Sequence, residues 1–402
     1  MNLEIRPMEP EEHAEFNRLA CLSFAAPFVI NMPPEMTLCG FVDGKMATTY
    51  SSCPLTMQFN GSRESIAGIT AVTTMPLYRR MGFLRKITET HLKKLYETGE
   101  HAISALNASN AAIYQRYGYG IVSFKKAYTT EPRFLKFALN GTPGGELREA
   151  DEKSDPLLLE LFHRFAEKRT GYLHRNETFE VSPAVPFTVM NFPPPPPVPI
   201  VRIVYYEGGE ALGYLIYSVE QDMAAGRPMG QRLLIRDLVW LTPSAYRGLW
   251  GFLSHMDLVR EIAWLRVPPD DPLPYLVLEP KALNCTTSDG MLARIVDVEK
   301  ALPKRPYAEE GSLTFEIADE VCPWNSGTWK LETSGKESSV TRTTEKAGLK
   351  IPASTLAMLV FGHISASEAA RIGRLDVQDH GVLKVWDRVM KTEHMPFCPD
   401  MF

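Results

Sequence analysis

The stretch from Gly68 to Gly120 constrains this chain more than any other, because it sets an apolar strand directly before a compact basic turn and a helix. The strand ends Ile69-Thr70-Ala71-Val72. Pro76-Leu77-Tyr78-Arg79-Arg80-Met81-Gly82 then leads into a helical pattern, a second apolar strand and Tyr114. A strand that stops at a turn whose amides open the next helix makes a small anion cradle, and arginines at its mouth add charge-assisted bonds to a pyrophosphate. Gly82 lacks a Cβ, so its backbone can approach such phosphates closely. This order of elements suits an acyl-CoA site.

The flanking sequence builds a platform for that turn. Leu3 to Arg6 reads as a short strand and Glu11 to Phe24 as a helix with Phe16, Leu19 and Ala20 on one face. Asp43-Gly44 and Asn60-Gly61 sit between apolar runs and accept the positive φ of a type I′ turn, which predicts an antiparallel meander over 38–73. From Gly82 to Glu97, Leu84, Ile87, Leu92 and Leu95 mark one helical face, Lys93 and Lys94 lie outside it, and Gly99 is a fitting stop. Ala102 to Leu106 then reads as a buried strand.

With 402 residues, 45% of them hydrophobic, the chain can bury two or three cores, and we expect three domains. The net charge of −5 and the absence of a basic run argue against nucleic acid or an anionic membrane as the main partner and favour a cationic or amine substrate. Six cysteines without CxxC spacing indicate neither zinc nor a disulfide framework. The N-terminus lacks an apolar signal core and no window approaches a membrane span, so a soluble cytoplasmic protein is expected.

Beyond residue 130 the plan repeats less cleanly. Asp155 to Arg169 reads as a helix; Ile200 to Tyr206, Ala211 to Val219 and Leu234 to Trp240 read as strands. Val239-Trp240-Leu241-Thr242-Pro243-Ser244-Ala245-Tyr246-Arg247-Gly248-Leu249 echoes Val72 to Gly82, with Leu249 in place of Gly82 and Arg247 alone of the arginine pair. The proline run Pro193 to Pro197 reads as an exposed loop inside this region. Further on, short strands at Leu313 to Ile317, Thr328 to Glu332 and Ser339 to Arg342 precede helices at Ser354 to Phe361, Ser365 to Arg371 and Val382 to Met390, and Ser365 with Glu368 forms a capping box. Trp324, Trp329, Met358 and Trp386 read as core of this last region, and Asn107 as a cap of the helix after it.

The run from Val72 to Arg85 resembles the cofactor signature of the GNAT acetyltransferases, in which a valine-rich strand enters Arg-Arg-x-Gly-x-x at a helix start; Leu84 stands where the family often has a small residue. Asn107 to Tyr119 resembles the family's second motif, whose tyrosine faces the cofactor sulfur. Across the whole chain, the order of parts resembles the Eis-type (enhanced intracellular survival) N-acetyltransferases. Local matches are Ala245 to Trp250, Pro268 to Leu273, Asp289-Gly290 and the terminal Phe402.

The resemblance implies an α+β fold of two tandem GNAT-like domains, the second degenerate, followed by a sterol-carrier-protein-like domain. The expected boundaries are 1–130, 131–284 and 285–402. It also implies that the strand at 102–106 diverges from its neighbour to leave a V-shaped opening for pantetheine. By position, Tyr114 is the general acid near the sulfur, and the α-carboxylate of Phe402 is the base that takes the amine proton, directly or through water. Val72, Thr73 and Thr74 would hold pantetheine; Arg79, Arg80, Met81, Gly82, Phe83, Leu84 and Arg85 would hold the pyrophosphate; Ser109 and Asn110 would line the far wall. The implied co-substrate is acetyl-CoA, no metal is required, and a homo-oligomer, hexameric in the family, is expected. The implied acceptors are multi-amines such as aminoglycosides, polyamines or lysine side chains. Glu35 is the one acidic residue between Phe24 and Leu38, whereas a polycation pocket would favour several. A lipid carrier with a vestigial GNAT part is the competing reading, and Arg80, Gly82 and Tyr114 speak against it. Residue types leave acyl-chain length open.

Overall fold

The computed structural model describes residues 3–25, 31–138, 144–175, 199–222, 230–307, 309–335 and 337–402, which form two compact units. The first comprises Met1–Val122, Met291–Thr392 and Phe402; the second comprises Ser123–Gly290 and Glu393–Met401. The run Pro193 to Pro197 lies outside the described residues.

The first unit begins with β1 (Leu3–Arg6), α1 (His13–Phe24), β2 (Cys39–Val42), β3 (Lys45–Phe59), β4 (Ser62–Thr74), α2 (Phe83–Thr98), β5 (Ile103–Asn107), α3 (Ala111–Gln115) and β6 (Gly120–Ile121). Both expected hairpins form. Asp43 and Gly44 have φ of 50° and 74°, and Asn60 and Gly61 have 53° and 99°, as a type I′ turn demands. α1 buries Phe16, Leu19 and Ala20. α2 buries Ile87, Leu92 and Leu95, but also Phe83, Thr88 and His91, and it ends at Gly99 with φ 68°. Each large apolar side chain so covered contributes on the order of 1.5–3 kcal/mol.

The sheet runs β1-β2-β3-β4-β5, then the strand Met291–Ile295, then β6. Met291–Ile295 pairs antiparallel with β5 from Met291↔Asn107 to Ile295↔Ile103, and with β6 at Ala293↔Gly120. A segment distant in sequence is therefore wedged between β5 and β6.

The same unit carries a second, five-stranded sheet in the order Ser338–Arg342, Gly327–Ser334, Glu310–Ala318, Leu349–Pro352, Asp376–Val377, with helices Ala353–Val360, Ala366–Arg371 and Gly381–Val389. The capping box forms: Glu368 N–H donates to Ser365 Oγ at 3.1 Å and Ser365 N–H to Glu368 Oε2 at 2.9 Å. Trp329, Met358 and Trp386 are core residues, Trp386 packing edge-on against Phe315. Trp324 is not. Its ring stacks on Tyr96 of α2 at 4.6 Å and its Nε1 donates to the Val296 carbonyl, a partner that a reading of local pattern has no means to supply.

The second unit contains β7 (Phe124–Thr130), β8 (Glu146–Ala150), α4 (Asp155–Ala166), β9 (Ile200–Glu207), β10 (Glu210–Asp222), β11 (Gly230–Trp240), α5 (Pro243–Leu253), β12 (Val259–Val267) and β13 (Thr286–Asp289). Its sheet order is β13-β7-β12-β11-β10-β9-β8. Two arginines, Arg175 buried and Arg266 partly so, fix the chain segment Glu393–Met401 to this unit. Arg266 donates to the carbonyls of Cys398, Pro399 and Asp400, while Arg175 bridges Asp237 at 2.6 Å and Asp400 at 2.9 Å.

Candidate active site

The end of β4 is irregular in a way that prepares a binding edge. Thr49 pairs with Thr73 and Ser51 with Thr70, so Ala71 and Val72 together face Tyr50. Ala71 takes φ 49°, a left-handed conformation costly for a residue with a Cβ. Thr49 compensates: its Oγ1 donates to the Ala71 carbonyl at 2.6 Å and lies 2.7 Å from Thr73 Oγ1, fully buried. The pairing of β4 with β5 ends just before this bulge. The two pair in parallel at Ala67↔Ser104, Gly68↔Ala105 and Ile69↔Leu106, whereas β4 continues to Thr74. Backbone groups of Val72, Thr73 and Thr74 thus lie past the paired segment, on a strand edge that can take an extended ligand.

The basic turn follows at once. Arg79 Nε donates to the Thr74 carbonyl at 3.1 Å, which ties the turn to the strand end. Arg80 has φ 63° and Gly82 φ 79°; Gly82 is the N-cap of α2 and offers no side-chain cap. A Cβ at Gly82 would meet no atom within 4 Å, so the space before this helix start is open. The amides of Phe83, Leu84 and Arg85 open a 16-residue helix with the positive end of its dipole toward that space. Arg79, Arg80, Met81 and Gly82 are exposed, while Phe83 is buried against Val42 and Ala47. Arg85 is exposed and pairs with Glu89 one turn on, at 2.7 Å.

Val72, Leu84 and Tyr114 pack on one cluster built around Tyr50, Ile69, Leu106 and Tyr119. The structure therefore brings the strand end, the helix start and the tyrosine together. Tyr114 sits in α3, its ring 6.0 Å from that of Tyr119 in an edge-on arrangement. Burial, then the neighbouring Tyr119 and Tyr117, holds the Tyr114 phenol well above its ordinary range, so it keeps its proton. Around it Tyr119 hydroxyl lies 2.7 Å from Ser104 Oγ, and Tyr50 hydroxyl lies 3.1 Å from His91 Nδ1. Ser109 and Asn110 are exposed at the start of α3, where Asn110 Oδ1 accepts from Ala112 N at 3.2 Å. The cap is thus Asn110, not Asn107 as expected, because the helix begins only at Ala111.

Phe402 belongs to the same unit and is buried. A Cβ on Gly68 would fall 3.1 Å from Phe402 Cδ2 and 2.4 Å from Leu55 Cδ1, so the Phe402 ring lies over the bare backbone of β4 where it pairs with β5.

The echo in the second unit is built differently. Its helix α5 starts at Pro243, which has no amide hydrogen, and Thr242 accepts from Ala245 N through Oγ1 at 3.1 Å and from Tyr246 N through its carbonyl at 3.1 Å, so most of the helix start is already engaged. Leu249 is fully buried in mid-helix, and Tyr246 donates to Asp271 in the core. Where the first unit presents an open, glycine-capped helix start, this one presents a sealed end.

Sequence reasoning missed Thr49, Tyr50, His91 and Ser104, which touch the site through a strand partner or a helix face, and gave Tyr119 no role although it closes the second motif. Only the polar His91 and Thr88 on the apolar face of α2 leave a visible trace, as two breaks in an otherwise hydrophobic stripe.

Residues 4–122 and 193–295 each match the acetyltransferase (GNAT) domain family, and residues 298–399 match the sterol carrier protein domain family. An uncharacterized N-acetyltransferase of Streptomyces avermitilis is 29% identical over the whole of this chain and 99% of its own length. The N-acetyltransferase Eis of Mycobacterium tuberculosis is 26% identical over 81% of this chain and 78% of its own. Among solved structures, Eis1 from Mycobacterium abscessus superposes with a TM-score of 0.81 at 25% identity, covering 99% of this chain and 100% of that one. A GCN5-related N-acetyltransferase from Anabaena variabilis gives a TM-score of 0.83 at 22% identity over the full length of both, a likeness of fold. With two regions that match GNAT domains followed by one that matches a sterol carrier protein domain, the chain is an acetyltransferase of the Eis-type GNAT family.

Proposed function

We propose that this acetyltransferase uses acetyl-CoA to acetylate a primary amine, on a multi-amine compound, a polyamine or a lysine side chain, by direct transfer. The observation that carries the reading is the conjunction of a bulged β4 end that runs on past its pairing with β5, an open, glycine-capped helix start and Tyr114 packed on the same cluster. These residues fit a pantetheine pyrophosphate. The edge at Val72, Thr73 and Thr74 pairs with amides, and the amides from Gly82 to Arg85, with Arg80 beside them, receive phosphate. Arg79 serves by bracing the turn, and Ser109 and Asn110 border the site. When bound, the co-substrate supplies an activated acetyl thioester.

The protein's own part is positional and acid–base. Tyr114, held protonated by its surroundings, is the donor to a departing thiolate. The Phe402 carboxylate accepts the amine proton, directly or through water, its ring fixing it beside Gly68. A carboxylate is a weak base near its ordinary pKa of ~3.5, so its value lies in position within a partly desolvated pocket.

The test is thiol release from acetyl-CoA against aminoglycosides, polyamines and lysine peptides. An amine substrate should emerge for the wild type, with turnover reduced roughly 100-fold or more in Tyr114→Phe. Full activity in that variant would refute the acid role, full activity after deletion of Phe402 the base role, and silence across the panel the amine class.

A further inference from the structure

We propose that the buried pair Arg294–Asp319 is a positioning element for Tyr114, so that the sterol-carrier-like part of the chain supplies part of the acetyltransferase machinery. The inference rests on the reading of Tyr114 as the acid. Arg294 lies on the strand Met291–Ile295, directly across from Ser104 of β5, and is fully buried. Its Nη2 donates to both carboxylate oxygens of Asp319 at 2.6 Å. Its Nη1 donates to the carbonyl of Tyr117.

That carbonyl belongs to the turn on which Tyr114 is built. The Tyr114 carbonyl accepts from Tyr117 N at 2.9 Å and from Tyr119 N at 3.4 Å, and Gly118 between them takes φ 80°. A Cβ at Gly118 would overlap the Arg294 guanidinium, so the turn and the arginine fit each other without slack. The cross-strand partner Ser104 holds Tyr119, whose ring edges onto Tyr114. One row of the sheet therefore grips the tyrosine turn twice, once through the backbone and once through a side chain.

Asp319 is itself immobilised. It accepts from Cys322 N at 2.9 Å, Val321 N at 3.2 Å and Asn325 Nδ2 at 3.3 Å, and Asn325 also donates to the Val296 carbonyl. A buried carboxylate satisfied on this many sides holds a guanidinium in one orientation, and in some proteins such pairs serve to specify geometry. Asp319 and Arg294 touch no reacting atom in this reading; they act through Tyr114.

The experiment is a double-mutant cycle on the full-length protein with an amine substrate from the panel. Asp319→Asn alone should lower kcat roughly 10- to 100-fold, the effect of a small misplacement of a catalytic group, with KM for acetyl-CoA changed less than twofold. In the Tyr114→Phe background it should change kcat less than twofold, because the group it places is gone. A merely structural role would give the same fold-loss in both backgrounds and would overturn the proposal. If Asp319→Asn does not fold, Arg294→Lys keeps the ion pair while removing the arm on Tyr117, and the same non-additive loss is expected. An active Tyr114→Phe enzyme would sink the acid reading itself. A crippled Tyr114→Phe with wild-type kcat in Asp319→Asn and Arg294→Lys would sink only this inference.

Discussion

Replacing Thr49 by valine isolates the feature on which the binding edge depends. Valine keeps the shape and the β preference of threonine and deletes one hydroxyl. That hydroxyl donates to the Ala71 carbonyl at 2.6 Å and lies 2.7 Å from Thr73 Oγ1, with no exposure to water. Two hydrogen bonds at about 1 kcal/mol each are lost, and the carbonyl left without its donor adds a desolvation penalty of about 1–3 kcal/mol, partly relieved if Ala71 leaves its left-handed conformation. Since that conformation costs an alanine about 1–2 kcal/mol, the strand gains by straightening once the clamp is gone. The net loss is therefore about 2 kcal/mol, a fall in melting temperature of roughly 4–8 °C for a unit of this size. Straightening moves the amides of Val72 to Thr74 back toward a regular ladder, so KM for acetyl-CoA should rise roughly tenfold while the acid–base groups stay in place. The assays are thermal melting and steady-state thiol release with acetyl-CoA varied at saturating amine. An unchanged KM in a protein that melts several degrees lower would show that the bulge is structural only and refute the link from Thr49 to the binding edge.

The first unit should also weaken in mild acid. Burial lowers the His91 pKa to about 3 and that of His363 to about 4. The folded state therefore keeps both rings neutral while the unfolded chain protonates near 6.5. Their contribution is fully present above that value and is lost as pH falls through the window below it, by up to about 1.4 kcal/mol per pH unit for each ring. Urea midpoints measured from pH 7 to 4.5 should fall, and His91→Gln should flatten the slope; an equal slope in that variant would mean that His91 titrates normally. In the second unit, Thr242→Ala removes the cap of α5 and should cost about 1 kcal/mol with no change in kcat or in KM for acetyl-CoA. Lost acetyltransferase activity without unfolding would contradict the conclusion that this helix start is sealed.

What was legible from residues alone follows from local physics. The Asp43-Gly44 and Asn60-Gly61 turns need positive φ whatever surrounds them, the stripe of α2 has a helical period, and Ser365 with Glu368 caps its helix within four residues. The helix start at Gly82 is legible for the same reason, since the left-handed φ of 79° it takes there favours a residue without a Cβ. The departure of the echo at Val239 to Leu249 is legible as well, since leucine does not suit a left-handed glycine position, and Leu249 indeed lies inside a helix. Tertiary structure decided everything that depends on strand neighbours. The insertion of Met291–Ile295 between β5 and β6 brings Arg294 opposite Ser104, a placement set by sheet order, to which periodicity is blind. The bulge at Ala71 is held by Thr49 from another strand, and Trp324 leaves its own core for Tyr96. The strand end, the basic turn and Tyr114 follow one another in a single stretch of sequence, whereas Arg294, Asp319 and Phe402 join them from far along the chain, through strand pairing, burial and hydrogen bonding alone.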